Sequence, residues 1–207
     1  MKSFVGCLIL WMGVFASGAA LAASGPYFAA GASASVPGSF DFKQPGLSKE
    51  ATLDLGYGAR LAAGWSFGRF SAEVEGLYLT NSISKFSSSA ASTSAAGDFN
   101  AMGLFLNGSA HFGPYGYFSP FVTLGAGGLK LDLVGIEDGD QKLGDAADEV
   151  LAFQGGLGLD VKLTPKTHFE AGWRYLAAQT ANFKGTEVDY KTHLLWAGLK
   201  FYLQASD

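Results

Sequence analysis

Charged residues keep to one face of each of several alternating segments, and this pattern constrains the fold more than any other feature. In four segments the two charged residues are an even number of positions apart: Asp54 and Arg60, Glu73 and Glu75, Asp160 and Lys162, Glu170 and Arg174. Successive side chains of a β-strand point to opposite sides of the sheet, so even spacing places both charges on the same face. The opposite faces carry no charge. The pattern predicts strands with one charged and one apolar face.

The content of glycine and proline excludes a membrane-spanning helix as the alternative to strands. From Phe99 to Leu129 there are 31 residues without Asp, Glu, Lys or Arg, a length that would suit a membrane-spanning helix. The stretch nevertheless contains seven glycines together with Pro114 and Pro120, which interrupt helices. Across the chain, 15% of residues are charged, against roughly 25% in soluble domains. The composition therefore favours strands that meet a solvent other than water.

Alternation with period two recurs in eight segments separated by turn-rich stretches. The segments are Tyr27–Val36, Leu53–Trp65, Phe70–Thr80, Ala101–Phe112, Phe121–Lys130, Leu151–Leu163, His168–Ala177 and His193–Leu203. The connections are alternately long and short, and the long ones are Pro37–Thr52, Asn81–Asn100, Leu131–Val150 and Ala178–Thr192. Short turns at one end and long loops at the other are typical of a membrane β-barrel.

The first 22 residues predict a secretory signal peptide. Lys2 supplies a positive start, Phe4–Ala16 an apolar run, and Ala20–Ala22 a small-residue cleavage site. A membrane anchor would need about 20 apolar residues, and glycines interrupt this stretch. The single cysteine, Cys7, would leave with the leader. We therefore expect one mature domain, residues 23–207.

Periodicity alone does not say which face of the strands is inside, because a soluble barrel would place the apolar face inward. The leader, the low charge content and apolar faces about ten residues long favour lipid outside. A sheet in hydrocarbon cannot leave an unpaired edge, so the first and last strands must meet. The predicted fold is all-β: an eight-stranded antiparallel up-and-down transmembrane β-barrel.

Several motifs resemble those of a known family. They are the last strand, His193–Leu203, and the segments Leu104–Gly108, Ser119–Gly127, Leu163–Thr167 and Gly172–Leu176. Together they are similar to the small OmpA-type and opacity-type outer-membrane barrels of Gram-negative bacteria. Members of that family usually end in an aromatic residue, whereas here Leu203 takes that place and four residues follow.

The resemblance implies a monomeric integral protein of the cell outer membrane, with short periplasmic turns and four surface loops. It implies contact with membrane lipid and lipopolysaccharide, and with the outer-membrane assembly machinery through an assembly signal at Gly198, Phe201 and Leu203. Such barrels serve as structural proteins, adhesins, surface antigens and occasionally enzymes, so the fold does not fix one activity. We expect a structural or surface-interaction role, in which the loops can meet a host or other surface ligand.

If the charged faces point inward, they meet in the lumen. The lumen residues would be Asp54, Arg60, Glu73, Glu75, Asp160, Lys162, Glu170, Arg174 and Lys200. Eight strands enclose only enough space for side chains, so nearly balanced charges predict an ion-paired plug without a wide pore. The alternative is a narrow, gated ion path.

The sequence gives little support to catalysis. His111 and His168 fall near the turn side and His193 near the loop side, and Ser109 shares a strand face with His111. No cluster of serine, histidine and acid is evident, and we expect a protein that is not an enzyme. An outer-membrane hydrolase and a soluble periplasmic barrel that binds an apolar ligand remain the alternatives.

The other features predict surface roles and no cofactor. A formal charge of -4 disfavours a nucleic-acid partner. The third long connection is acidic, which favours a solvated loop over a calcium site because the EF-hand spacing is missing. Trp65, Phe70, Phe112 and Phe201 lie near the short turns, where aromatic rings anchor at the membrane boundary.

Overall fold

The computed structural model confirms the eight-stranded antiparallel barrel. It describes residues 24–37, 40–44, 47–53, 55–88, 91–93, 96–112, 117–138, 141–142, 146–183, 186–188 and 190–204. The barrel strands are β1 (Ser24–Pro37), β2 (Gly56–Phe67), β3 (Phe70–Ser88), β4 (Ala96–His111), β5 (Phe118–Asp138), β6 (Ala146–Lys162), β7 (Thr167–Ala178) and β8 (Lys191–Tyr202). Among the described residues, no helix is long and apolar enough to span a bilayer.

Each barrel strand pairs with its neighbours in the chain, and β1 pairs with β8 to close the sheet. A row of paired residues followed around the barrel from Lys130 returns to β5 at Pro120, so the shear is ten residues, from 130 to 120. A stagger of this kind accompanies a strand tilt of about 35–45°. The closed sheet leaves no unpaired edge in the membrane.

The strands extend past the predicted segments at the loop end. β3 continues to Ser88, although its alternating pattern ends at Thr80. β5 continues to Asp138, although its pattern ends at Lys130. Backbone pairing does not require apolar side chains, so hairpins can continue into water after the pattern stops. In the described parts of the long connections there are six short strands: Phe40–Gln44, Leu47–Leu53, Ala91–Thr93, Gln141–Lys142, Ala181–Phe183 and Thr186–Val188.

The second predicted segment was wrong at its start. Leu53 belongs to the short strand Leu47–Leu53, and β2 begins only at Gly56. The pairing of the short strand with β3 shifts register between Thr52 and Leu53. The extra residue of this irregularity, Ser84, lies on β3, so the alternation along the segment Leu53–Trp65 did not reveal it.

The short connections lie at the opposite end of the barrel. Gly68 and Arg69 join β2 to β3, and the φ of 78° at Gly68 lies in the left-handed region that tight hairpins require. Between β6 and β7, Thr164 stabilises the turn by accepting a hydrogen bond from the backbone N–H of Thr167 to its hydroxyl oxygen at 3.0 Å. These turns fix the register of the two hairpins.

The apolar faces of the strands point outward. Leu61, Leu106, Leu124 and Leu157 are all more than half exposed, although they lie in the middle of their strands. A soluble barrel would bury such side chains, so this arrangement excludes the alternative in which the apolar face lines the interior.

Candidate functional site

The lumen collects most of the charged residues that the sequence placed on one face. Seven of them are buried inside the barrel: Arg60, Glu73, Glu75, Asp160, Glu170, Arg174 and Lys200. Lys162 is half-buried at the turn end of β6, and Asp54 lies outside the described residues. The seven buried groups are three cations and four carboxylates, so charge inside the barrel is nearly balanced.

Six of the lumen side chains form a closed ring of polar contacts across the barrel. Arg60 Nη2 donates to Glu73 Oε1 at 2.8 Å, and Arg60 Nε lies 2.8 Å from Glu75 Oε2. Arg174 Nη1 donates to Glu75 Oε1 at 2.6 Å and to Gln154 Oε1 at 3.2 Å. Two amides complete the ring.

The amide part of the ring runs from Gln154 through Asn107 to Glu73. Gln154 Nε2 donates to Asn107 Oδ1 at 2.7 Å, and Asn107 Nδ2 donates to Glu73 Oε1 at 3.2 Å. The ring thus joins β2, β3, β4, β6 and β7. Because the buried charges have opposite charges or hydrogen-bonding groups beside them, the arrangement offsets their desolvation cost. We call these six residues the lumen ring: Arg60, Glu73, Glu75, Asn107, Gln154 and Arg174.

An indole fills the space beside the lumen ring. The Trp196 ring lies 4.7 Å from the guanidinium carbon of Arg60 and 5.4 Å from that of Arg174. Aromatic faces attract cations, so this side chain from β8 holds both guanidinium groups. The packing adds a bulky apolar group to the polar cross-section.

A second set of contacts lies closer to the short turns. Lys200 Nζ pairs with Glu170 Oε1 and lies 4.5 Å from the centre of the Tyr27 ring. Tyr27 donates its hydroxyl hydrogen to Glu73 Oε2 at 3.0 Å. The contacts connect β1, β7 and β8 to the lumen ring, so charged and aromatic groups fill two successive levels of the lumen.

Two histidines, His111 and His168, lie near one another at the turn end of the lumen, and the third lies elsewhere. His168 Nδ1 forms a 2.7 Å hydrogen bond with Asp160 Oδ1, and His111 packs on Phe121 with ring centroids 5.1 Å apart. His193 lies on the outer surface of the barrel and stacks against Trp173. Ser109 is half-buried on the lumen face of β4. The three histidines therefore do not meet at one site.

Apolar side chains fill the lumen toward the long connections. The cluster contains Leu77, Leu79, Phe99, Ala101, Phe105, Leu129, Leu131, Ala152, Leu176, Tyr190 and Leu194. On β3 the lumen-facing order runs from Glu73 and Glu75 to Leu77 and Leu79, so ionic groups give way to apolar ones along a single strand. The lumen thus has a polar half at the turn end and a mainly apolar half at the loop end, which also contains the hydrogen-bonded side chains of Ser35, Asn81 and Thr192.

Sequence reasoning missed four residues that complete the lumen. Asn107 and Gln154 are neutral, and Tyr27 and Trp196 were not distinguished from other aromatics. Gln154 and Trp196 lie at even spacing from Asp160 and Lys200, so the alternation places these two on a charged face. The predicted segments of β1 and β4 contain no charge, so the alternation could not place Tyr27 or Asn107. The alternation carries no information about which side chains meet across the barrel.

The predicted surface residues lie where aromatic anchors would be expected. Trp65, Phe70, Phe112 and Phe201 are each about half exposed and lie at the short-turn ends of their strands. Of the predicted assembly signal, Phe201 and Leu203 face outward, whereas Gly198 faces Gly31 across the β1–β8 pair. The role of these three residues in assembly stays a prediction.

In the acidic connection, side chains are described only at the two ends. Asp132 pairs with Lys130 at 3.1 Å, and Asp148 accepts a hydrogen bond from the backbone N–H of Glu149 at 2.9 Å. The side chains between them, like residues 1–23 with the proposed leader, lie outside the described residues. Calcium binding and leader cleavage stay predictions.

Comparisons with known proteins agree with this architecture. The family model for the outer membrane protein beta-barrel domain matches residues 7–201. Neisserial surface protein A has a similar fold, with a TM-score of 0.58 and 15% identity over 87% of this chain and 98% of that one. The outer membrane protein OprG from Pseudomonas aeruginosa gives a TM-score of 0.57 and 18% identity over 86% and 97% of the two chains.

The comparison with curated proteins finds no match. The family match covers nearly the whole chain, and the two solved barrels share its fold. With a closed eight-stranded sheet, charges inside and apolar side chains outside, the chain belongs to the outer membrane β-barrel proteins, the family that resides in the outer membrane of Gram-negative bacteria.

Proposed function

We propose that this protein is a closed, non-catalytic barrel that acts through its residence in the outer membrane and through its exposed hairpins. The observation that carries the proposal is the lumen ring, in which side chains from five strands join across the interior. Trp196 and the apolar half of the lumen add further obstruction. A wide diffusion path has no room in this cross-section.

Planar-bilayer recording tests the closed lumen. We expect the wild-type protein to show no solute-sized conductance. Replacing Glu75 and Arg174 together with alanine removes two ring members without changing the net charge of the lumen, and should allow at most a small ion current. The matched control replaces the exposed pair Lys130 and Asp132 with alanine and should leave the recording unchanged. Stable, solute-sized channels in the wild-type protein would overturn the proposal.

The non-catalytic part of the proposal rests on the placement of the histidines. Two of them are buried in the lumen, and His193 is on the outer surface. Purified protein should hydrolyse neither lipid A acyl chains nor peptides. If the protein shows hydrolysis, and Ser109→Ala or His111→Ala abolishes it, the protein is a hydrolase and the non-catalytic part of the proposal is wrong.

The exposed hairpins are the proposed site for a surface partner. Ile83 pairs with Gly97, so a two-residue Asn-Gly turn can replace residues 84–96 without disturbing the register of β3 and β4. Cells that display the wild-type protein and cells that display this shortened form can be compared for capture of surface ligands. Equal capture by both would remove this hairpin from the proposal.

A further inference from the structure

Two histidines at the turn end of the lumen take no part in the contacts of the lumen ring. His111 is the last residue of β4, and His168 is the second residue of β7. Both side chains point into the lumen, and the residues are 9% and 7% exposed. Buried polar groups normally have partners, so the groups that face these two imidazoles indicate what they bind.

The stagger of the sheet places the two histidines at the same depth. His168 pairs in register with Lys162 on β6, and the backbone N–H of Lys162 donates to the carbonyl oxygen of Tyr117 on β5. His111 pairs with Phe121, which lies four residues further along β5 than Tyr117. A shear of ten residues over eight strands shifts positions of equal depth by about four residues over the three steps from β7 to β4. The two imidazoles therefore face the same level of the lumen, close enough to interact electrostatically.

His168 has the surroundings of a metal-binding histidine. Its Nδ1 lies 2.7 Å from Asp160 Oδ1, and the edge of its ring packs against Tyr202 with centroids 4.9 Å apart. The carboxylate favours the tautomer with the proton on Nδ1, which leaves the lone pair on Nε2. Nε2 is buried and has no hydrogen-bond partner among the residues that the structure describes. Proteins commonly present histidine to a metal ion in this way, with a carboxylate behind the ring.

The groups around the two imidazoles suit a cation that keeps bound water. Ser119 is the register partner of Asp160 and is 8% exposed, and its hydroxyl oxygen has no hydrogen-bond partner in the described part of the chain. The nearby Lys200 already pairs with Glu170, so its charge is offset. Among the described residues, no three His, Cys, Asp or Glu side chains form a metal-holding group. A metal ion at this level would therefore have two protein ligands, and the Ser119 hydroxyl can hydrogen-bond to its water.

We propose that His111 and His168 bind one late transition-metal ion, such as Zn²⁺ or Cu²⁺, at the turn end of the lumen. His168 Nε2 and a ring nitrogen of His111 are the protein ligands, Asp160 is a positioning residue, and water fills the other coordination positions. Imidazole nitrogen suits these metals, and Cu²⁺ should bind more tightly than Zn²⁺. The ion ties β4 to β7 across the lumen. The site is separate from the lumen ring and from the exposed hairpins, so the conductance and capture experiments can fail without affecting it.

Titration of refolded, untagged protein with Zn²⁺ in detergent micelles tests the site. The chain has three histidines, and His193→Ala removes the one on the outer surface. This variant is the matched control and should bind Zn²⁺ like the wild type. Asp160→Asn should weaken binding about tenfold, because the outer partner of a ligating histidine contributes about 10–100-fold to metal affinity. His111→Ala and His168→Ala remove a ligand and should each weaken binding by about 100-fold, the upper end of that range.

Bound Cu²⁺ gives a signature that a purely structural role of the histidines would not produce. In the His193→Ala protein, the electron paramagnetic resonance spectrum should show coupling to two imidazole nitrogens, and His168→Ala in the same background should reduce the coupling to one. Heat-modifiable migration establishes that each variant is folded. If an alanine variant of a ligand does not fold, the spectrum of the His193→Ala protein decides alone.

Several outcomes would overturn the metal site. Coupling of Cu²⁺ to one imidazole or to none in the His193→Ala protein is the first. Equal Zn²⁺ binding by the wild type and His168→Ala is the second. A loss of binding at only one of the two lumen histidines, or an equal loss in His193→Ala and His168→Ala, would also show that His111 and His168 do not share an ion.

Discussion

Glycine accounts for 29 of the 207 residues, about twice the usual share of roughly 7%, and at individual positions of the lumen it has a steric explanation. A Cβ atom added at Gly64 would lie 2.7 Å from Cζ of the Tyr27 ring, and one added at Gly158 would lie 2.6 Å from Cζ of Phe121. An eight-stranded barrel has room inside only for side chains. The rings of Tyr27 and Phe121 fit because glycine lies beside each of them.

Gly158→Ala should destabilise the protein by about 1–3 kcal/mol, because the added methyl group overpacks the lumen against Phe121. Gly108 is the control, since it faces outward on β4 and no atom lies within 4 Å of an added Cβ. Urea unfolding in lipid vesicles measures the difference between the two alanine variants. Equal stabilities would contradict the steric explanation.

Glu75 is the carboxylate of the lumen ring that contacts both guanidinium groups. It is fully buried and faces Arg60 on one oxygen and Arg174 on the other. Glu75→Gln leaves two buried guanidinium groups without their shared counter-charge, which should cost about 3 kcal/mol. Glu149→Gln, at an exposed position, should change the unfolding free energy little. A small loss at Glu75 would show that water or another group compensates the two cations.

The charged members of the lumen ring could be predicted from the sequence, whereas its amides could not. A charge cannot face hydrocarbon without a large cost, so even spacing assigned Glu73 and Glu75 to the interior once the leader and the low charge content favoured lipid outside. Asn107 and Gln154 carry no charge and lie on strands that are not neighbours, β4 and β6. Their contact depends on the diameter of the barrel and on the shear, neither of which a local pattern contains.

At the scale of the strand, hydrophobic alternation reports only the part of each hairpin that crosses lipid. The predicted boundaries at Thr80 and Lys130 mark where the pattern stops, while β3 and β5 continue to Ser88 and Asp138. Beyond the membrane both faces of a hairpin meet water, so selection for alternation ends there. The sequence therefore predicts the depth of the membrane better than it predicts strand length.

The cost of replacing a leucine with lysine should depend on the depth of the residue in the membrane, and two leucines of nearly equal exposure test this. Leu106 lies in the middle of β4 and is 65% exposed, and Leu55 lies just before β2 at the loop end and is 66% exposed. Leu106→Lys should cost about 2–4 kcal/mol, the value for a cation near the bilayer midplane, and Leu55→Lys about 0–1 kcal/mol. The unfolding free energy in vesicles gives both values. Similar costs at the two sites would place the membrane boundary elsewhere.

At the scale of the whole molecule, closure between the first and last strands determines whether the sheet is a barrel. Ala30 pairs with Leu199 across the β1–β8 pair, and both point outward. The mature chain contains no cysteine if the leader carrying Cys7 is removed. Introduced cysteines can therefore report this contact without interference.

Ala30→Cys combined with Leu199→Cys should form an intramolecular link with a short bis-thiol reagent, which shifts the migration of the boiled protein in gel electrophoresis. Ala30→Cys combined with Leu195→Cys is the offset control, because Leu195 pairs with Ala34, four residues further along β1. Preferential linking of the offset pair would refute the register, and no linking of either pair in folded protein would refute closure.

The lumen ring also bears on how such a sheet can enter a bilayer. Its members come from β2, β3, β4, β6 and β7, so the ring can close only after strands from both halves of the chain have come together. A partly assembled, flat sheet would turn Arg60, Glu75 and Arg174 toward acyl chains and leave its edges unpaired. Insertion of one hairpin at a time into lipid is therefore disfavoured. The sheet must curve and close while it inserts into the bilayer.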